Sequence, residues 1–151
     1  MKILPGNFDD PRVRELLRLH LKGMHASSPP GTVYALDLSG LMAPEISFWT
    51  AWEGDELLGC GALKQLSDDS GEIKSIRTFP AHLRKGAAHA LLRRMLDLAR
   101  QRGYRRVSLE TGTGDAFEPA LALYRAHGFA NGPVFADYET SEFNQYLHLD
   151  L

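Results

Sequence analysis

Between residues 78 and 87 the hydrophobic pattern of this chain changes period, and that change limits the folds open to it. From Ile46 to Glu53 the residues are largely β-branched and aromatic, Gly54-Asp55 turns the chain, and Leu57 to Leu66 reads as a partner strand. Asp68-Asp69-Ser70-Gly71 supplies a second turn, and Glu72-Ile73-Lys74-Ser75-Ile76-Arg77-Thr78 alternates polar and apolar residues as a third antiparallel strand does. Then Ala87, Ala88, Leu91, Leu92, Met95, Leu96 and Ala99 fall on one side of a helix that Gly103 ends. Arg106 to Thr111 is the next strand. A helix separates it from the meander, so it is expected to run parallel to its neighbour. A three-stranded meander, a helix and a returning strand make a mixed, mostly antiparallel α/β sheet flanked by helices.

The flanks fit that frame. A short strand near Lys2 to Leu4 precedes Asp9-Asp10-Pro11, a cap and first-turn proline, after which Val13, Leu16, Leu17, His20, Leu21 and Met24 follow at helical spacing. Ser27-Ser28-Pro29-Pro30-Gly31 breaks this helix, and Tyr34 to Met42 is read as a second, shorter one. A further helix is expected over about Ala116 to His127, with Gly128 as a left-handed cap, and Asn144 to Leu151 alternates as a strand that closes the sheet. With 151 residues, 44% hydrophobic and 24% charged, and with no repeat or linker, residues 1–151 are read as one domain.

Composition narrows the chemistry. Seventeen Lys+Arg against nineteen Asp+Glu leave a net charge of −2, which offers no general field for nucleic acid or an anionic membrane. No signal-peptide or membrane-spanning stretch is evident, and the protein is expected to be cytoplasmic. Cys60, the only cysteine, stands in an apolar run and reads as a buried structural thiol. His20 and His25 are five residues apart rather than four, and the six histidines suggest no metal site.

The most informative local run is Leu83-Arg84-Lys85-Gly86-Ala87-Ala88-His89-Ala90-Leu91-Leu92. A helix begins here with no Ser, Thr, Asp or Asn to cap it. The first turn of a helix leaves backbone N–H groups unpaired and carries partial positive charge, so those donors are available to an anion. Gly86, Ala87 and Ala88 would let a pyrophosphate approach the backbone, and Arg84 and Lys85 add charge beside it. A solvated helix start with a glycine turn is the plainer reading of the same residues.

The run resembles the pyrophosphate loop of the GNAT superfamily of acetyltransferases, Gln/Arg-x-x-Gly-x-Gly/Ala, with Gly86 and Ala88 at its last two fixed positions and Leu83 departing at the first. Three further segments resemble the same family in the same order. Ile76-Arg77-Thr78 is similar to the fourth strand, whose backbone pairs with pantetheine. Val107 to Thr111 is similar to the fifth strand, which splays from the fourth. Leu123-Tyr124-Arg125-Ala126-His127-Gly128-Phe129 is similar to the Leu-Tyr-x-x-x-Gly-Phe signature. Phe117 stands where the family often has an asparagine that contacts the pantetheine arm. The resemblance implies the acyl-CoA N-acyltransferase fold, acetyl-CoA as co-substrate without a metal, and a cofactor site built from Ile76, Arg77, Thr78, Arg84, Lys85, Gly86, Ala87, Ala88 and His89.

It also implies direct acetyl transfer to a primary amine of a small molecule or a peptide amino terminus. Amide formation from a thioester needs a neutral amine and a proton for the departing thiolate, and no covalent intermediate. Tyr124 is the candidate acid; by pattern alone it belongs to the core face of Phe117, Ala120 and Leu121. Glu72, opening the fourth strand, is the candidate base, or else a solvated strand residue. His25 and Tyr138 are candidates for the acceptor pocket; a surface histidine ending a helix is the plainer reading of His25. The alternatives are a non-catalytic acyl-CoA-binding or sensor module of this fold, a different nucleotide-binding domain, which lacks the fuller glycine pattern here, and a partner-binding protein using Phe48, Trp49 and Trp52. A homodimer is suggested by family habit alone.

Overall fold

The computed structural model describes residues 1–151. Its seven strands are β1 (Lys2–Pro5), β2 (Ile46–Glu53), β3 (Glu56–Ser67), β4 (Ser70–Thr78), β5 (Arg106–Thr111), β6 (Ala130–Gly132) and β7 (Gln145–Asp150). They form one sheet in the order β1-β2-β3-β4-β5-β7-β6. Only β4 and β5 pair in parallel; every other neighbour is antiparallel. This is the mixed, mostly antiparallel sheet that the change of period predicts.

Four helices accompany the sheet: α1 (Pro11–Ala26), α2 (Leu38–Leu41), α3 (Ala87–Gln101) and α4 (Glu118–Ala126). Asp10 starts α1 by accepting from the Arg12 amide at 2.9 Å, with Pro11 in the first turn. The apolar stripe of α3, including Leu91, Leu92, Met95 and Leu96, packs with Leu58, Leu63, Ile73, Val107 and Leu109 on one side of the sheet. Val13, Leu16 and Leu17 of α1 pack with Phe48, Leu57, Cys60 and Ala62 in a second cluster. The central β3 contributes to both clusters, which explains its almost unbroken apolar run. Cys60 is fully buried, and burial pushes its thiol up to about 12. The aromatic residues of β2 are also engaged: Phe48 is buried, while Arg94 lies over Trp49 and Arg12 over Trp52.

Three boundaries differ from the sequence reading. The second helix does not run from Tyr34 to Met42 but makes one turn at Leu38–Leu41, because the Asp37 carboxylate accepts from the Gly40 amide at 2.8 Å and fixes the start there. The α4 segment opens with a 3-10 turn at Asp115–Phe117 before Pro119 sets the α-helix. The last strand does not close the sheet: β7 lies between β5 and β6, and the short, exposed β6 forms the edge. Three exposed residues carry no alternation from which a strand could be read.

Two irregularities in β4 shape the space on either side of it. Its pairing with β5 covers only Ser70–Glu72 against Arg106–Ser108, so the two strands part beyond Glu72. On its other edge Lys74 faces Ala62 and Arg77 faces Cys60, which sets Ser75 and Ile76 opposite Gly61 alone. That extra residue is a bulge, and Ser75 takes φ 56° to make it. Ile73 and Ile76, three apart, consequently both pack toward α3, whereas a regular strand would put them on opposite faces.

A serine with positive φ is strained by about 1–2 kcal/mol, and a β-branched side chain suffers more. Ser75→Gly is expected to match or exceed the wild-type stability in urea unfolding, while Ser75→Val loses about 2 kcal/mol; a Ser75→Val protein as stable as the wild type would remove the strain from this position.

Candidate functional site

The gap left where β4 and β5 part opens into a cavity of about 650 Å³. Its walls come from α1, β4, the turn before α3, β5 and α4. One end is the start of α3. Gly86 occupies the N-cap with φ 86° and no side chain caps the helix. A Cβ on Gly86 would meet no atom within 4 Å, so the backbone angle, not crowding, favours glycine. The Ala90 amide makes the first bond of the helix, to the Gly86 carbonyl at 3.0 Å. The amides of Gly86 through His89 therefore precede the ladder and are free for an anion. Arg84, at φ 65°, lines the cavity with Ala87, Ala88 and His89. Lys85 does not; its Nζ lies 3.0 Å from His82 Nδ1. His89 Nδ1 meets His127 Nε2 at 3.0 Å.

From this turn the cavity follows Thr78, Arg77 and Ile76 along the edge of β4 that β5 has left. Tyr124 of α4 lines the same space, 9% exposed. Burial, with Glu110 nearby, pushes its phenol up to about 12, so it stays protonated at neutral pH.

The chamber at the fork holds the charged groups. Glu72 is only 2% exposed; its Oε2 accepts from the Tyr138 hydroxyl and lies 3.3 Å from Lys74 Nζ. Lys74 also donates to Tyr138 Oη at 2.7 Å and to the Tyr34 carbonyl at 3.4 Å. Across the fork Glu110 accepts from Asn144 Nδ2 at 2.8 Å, and burial raises its carboxyl above the usual range. Arg77 Nε donates to His20 Nδ1 at 3.0 Å. Burial, then the charges of Arg77 and Lys74, lower His20 to about 3, so its ring is neutral.

Of the residues singled out in the sequence, Glu72, Ile76, Arg77, Thr78, Arg84, Gly86, Ala87, Ala88, His89 and Tyr124 line this one cavity. Tyr138 reaches it through Glu72, from the segment between β6 and β7. His25 is exposed at the end of α1 and lies outside the lining; Met24 and Ser27 beside it line the wall instead. Phe117 lines the wall in place of a polar side chain and packs against Phe143. Lys74, Glu110, His20 and Asn144 were not anticipated. A signal existed for Glu110: Val107 and Leu109 alternate with Ser108 and Glu110, which puts Glu110 on the face opposite the α3 core. No group of three or more His, Cys, Asp or Glu side chains is placed to hold a metal ion.

The model of the acetyltransferase (GNAT) family matches residues 12–129. The chain belongs to that family. Among its relatives, the uncharacterized N-acetyltransferase YsnE of Bacillus subtilis is 53% identical over 127 residues, 84% of each chain. The uncharacterized N-acetyltransferase YedL of Escherichia coli is 45% identical over 141 residues, 93% of this chain and 89% of the relative. Rv2747 of Mycobacterium tuberculosis, solved in complex with CoA, has a TM-score of 0.75 at 25% identity, covering 100% of this chain and 99% of that one. The protein is thus a GNAT N-acetyltransferase, and no helix in it is long and apolar enough to cross a membrane.

The buried neutral His20 carries a consequence for stability. In the unfolded chain it takes up its proton near pH 6.5, in the folded chain only near 3, so stability falls as pH drops from about 6.5 toward 3. His20→Gln is expected to narrow the loss of unfolding free energy between pH 7 and pH 4 by about 3 kcal/mol; an unchanged loss would mean that His20 is protonated in the fold.

Proposed function

We propose that this GNAT enzyme transfers the acetyl group of acetyl-CoA directly to a primary amine of a small molecule or a peptide amino terminus. One observation carries the reading: the uncapped start of α3, the edge of β4 freed by β5, and the Tyr124 phenol all line one continuous cavity. The amides of Gly86 to His89, with Arg84, suit the pyrophosphate, and the backbone of Ile76 to Thr78 suits the pantetheine amides. Relatives solved with CoA, Rv2747 among them, support this use of the fold.

Acetyl-CoA supplies an activated acyl thioester; the residues of the chain manage the protons. The amine nitrogen forms a bond to the carbonyl carbon as the carbon–sulfur bond breaks, the amine proton passes to a carboxylate, and Tyr124 gives its phenolic proton to the departing thiolate. The products are an N-acetylated amine and CoA. Glu72 was the expected base, but its Oε2 is already engaged by Tyr138 and Lys74. Glu110 suits proton acceptance better, because burial raises its proton affinity toward the working pH. Glu72 instead pairs with Lys74 and holds the Tyr138 hydroxyl at the wall of the chamber.

Isothermal titration with acetyl-CoA, using NAD and ATP as controls, tests the cofactor half. Selective binding is expected for the wild type and at least 100-fold weaker binding for Gly86→Glu, which places both a carboxylate and an unfavourable φ at the pyrophosphate site. Unchanged affinity would remove the loop from the site. Tyr124→Phe should lower turnover by roughly 10- to 1000-fold while sparing acetyl-CoA affinity.

Glu110 must be ionised to accept a proton. The wild-type kcat/KM should therefore fall as pH drops through a value above the usual carboxylate range, and Glu110→Gln should lose that limb. A limb that persists in Glu110→Gln and disappears in Glu72→Gln would return the base to Glu72. Acetyl-CoA binding without CoA release for any amine would leave a sensor in place of an enzyme.

A further inference from the structure

We propose that the acceptor is a free amino acid, its amine beside Glu110 and its carboxylate on the guanidinium of Arg77. The inference rests on the transfer reading above and narrows its substrate.

Arg77 is a cation without a counter-ion. Its only polar partners are His20 Nδ1 at 3.0 Å and the His20 carbonyl at 3.5 Å, and no carboxylate in the protein pairs with it. His20 is neutral and offers a lone pair, not a charge. A partly buried guanidinium left in this condition is costly, and burial lowers its proton affinity accordingly. The fold nevertheless makes room for it. A Cβ at Gly23 of α1 would stand 3.2 Å from Arg77 Nη2 and 3.5 Å from Nη1, so the helix passes the guanidinium with a residue that has no side chain. The bulge at Ser75 and Ile76 sets the direction, because the extra residue puts Arg77 on the side of β4 that faces α1. Arg77 and Gly23 both line the cavity.

The remaining charges show what this cation fits. Glu72 and Lys74 pair with each other and cancel. Glu110 has only the neutral amide of Asn144 as a side-chain partner. One carboxylate and one guanidinium are left over on the two strands of the fork, and both act on the Tyr124 phenol, Glu110 raising and Arg77 lowering its pKa. A zwitterion supplies both missing charges: an ammonium, which releases one proton to solvent before the neutral amine attacks, for Glu110, and a carboxylate for Arg77, which can bind it through two parallel N–H donors. The phosphates of the cofactor do not account for Arg77, since their donors lie at the start of α3 while the guanidinium turns toward α1. A peptide amino terminus has an amide where the free amino acid has its carboxylate, and would leave Arg77 unpaired.

The test compares the twenty free L-amino acids with their α-carboxamides as acceptors, following CoA release from acetyl-CoA by the wild type and by Arg77→Gln. For the amino acids accepted, kcat/KM of the wild type should exceed that of the carboxamide by about 10-fold or more, the scale of a charge-assisted pair. Arg77→Gln should lose this preference mainly through KM, kcat/KM falling about 10-fold further for the free acids than for their carboxamides. Carboxamides accepted as well as the free acids, or an equal loss on both in Arg77→Gln, would overturn the inference and leave acetyl transfer standing. If neither series releases CoA, transfer fails for these acceptors and the carboxylate seat is tested by binding. N-acetyl amino acids and N-acetyl amino-acid amides would then be titrated into CoA-loaded protein: an Arg77-dependent preference for the acids sustains the carboxylate seat, and its absence overturns it.

Discussion

The site depends on how few residues β4 shares with β5. Three register pairs hold the strands together, and beyond Glu72 and Ser108 the facing edges of the two strands have no ladder partner. A longer parallel ladder would satisfy the backbone of Ile76 to Thr78 and leave nothing for a ligand to pair with. A shorter one would leave the returning strand unanchored. Glu72 lies in the last pair before the separation, so a buried carboxylate stands at the apex of the cavity because the ladder stops there.

The bulge on the other edge of β4 is the complement of that separation. By adding one residue opposite Gly61, it gives both Ile73 and Ile76 to the α3 core and directs Arg77 toward α1. Without the extra residue, either Ile76 would leave the core or Arg77 would enter it, and both cost more than a single strained φ at Ser75. Close packing of α3 against β3 and β4 therefore fixes the polar face of the same strand. Gly61 is part of this arrangement: a Cβ there would meet Met95 Cε at 2.9 Å and Ile76 Cγ1 at 3.3 Å. Core packing and site chemistry are set by the same few residues.

How much of the molecule is legible in its sequence depends on the range of the interactions involved. The start of α3 was legible because its signal is local: a glycine, two alanines and no capping side chain within one turn. The separation of β4 and β5 was legible only through the resemblance, since no single residue marks where a ladder ends. Glu72 could be named, but its partners could not, because Tyr138 lies 66 residues away and its hydroxyl reaches Glu72 only through the folded sheet. Arg77 was read for its backbone while its side chain took a separate role, and the alternation of β4 misleads at this point because the bulge resets it. His20 was counted in the apolar stripe of α1, which is where it lies, 6% exposed; neutrality, enforced by burial, lets it stay there.

The topology also settles when such a site can exist. In chain order β6 precedes β7, yet β7 lies between β5 and β6, so the edge strand has no partner in the sheet until the last strand docks on β5. The residues just before it hold both carboxylates of the chamber: Tyr138 binds Glu72, and Asn144 binds Glu110 while also donating to the Thr32 carbonyl at 3.0 Å. Until β7 docks, Glu110 lacks the amide of Asn144 and Glu72 lacks the Tyr138 hydroxyl, and burying either carboxylate is correspondingly less favourable. Assembly of the charged chamber is therefore coupled to completion of the sheet. The cofactor turn at Gly86, which is built from contacts local to α3, has no such dependence. The two halves of the reaction site thus rest on different parts of the chain, one formed by a single helix start and the other by segments more than sixty residues apart.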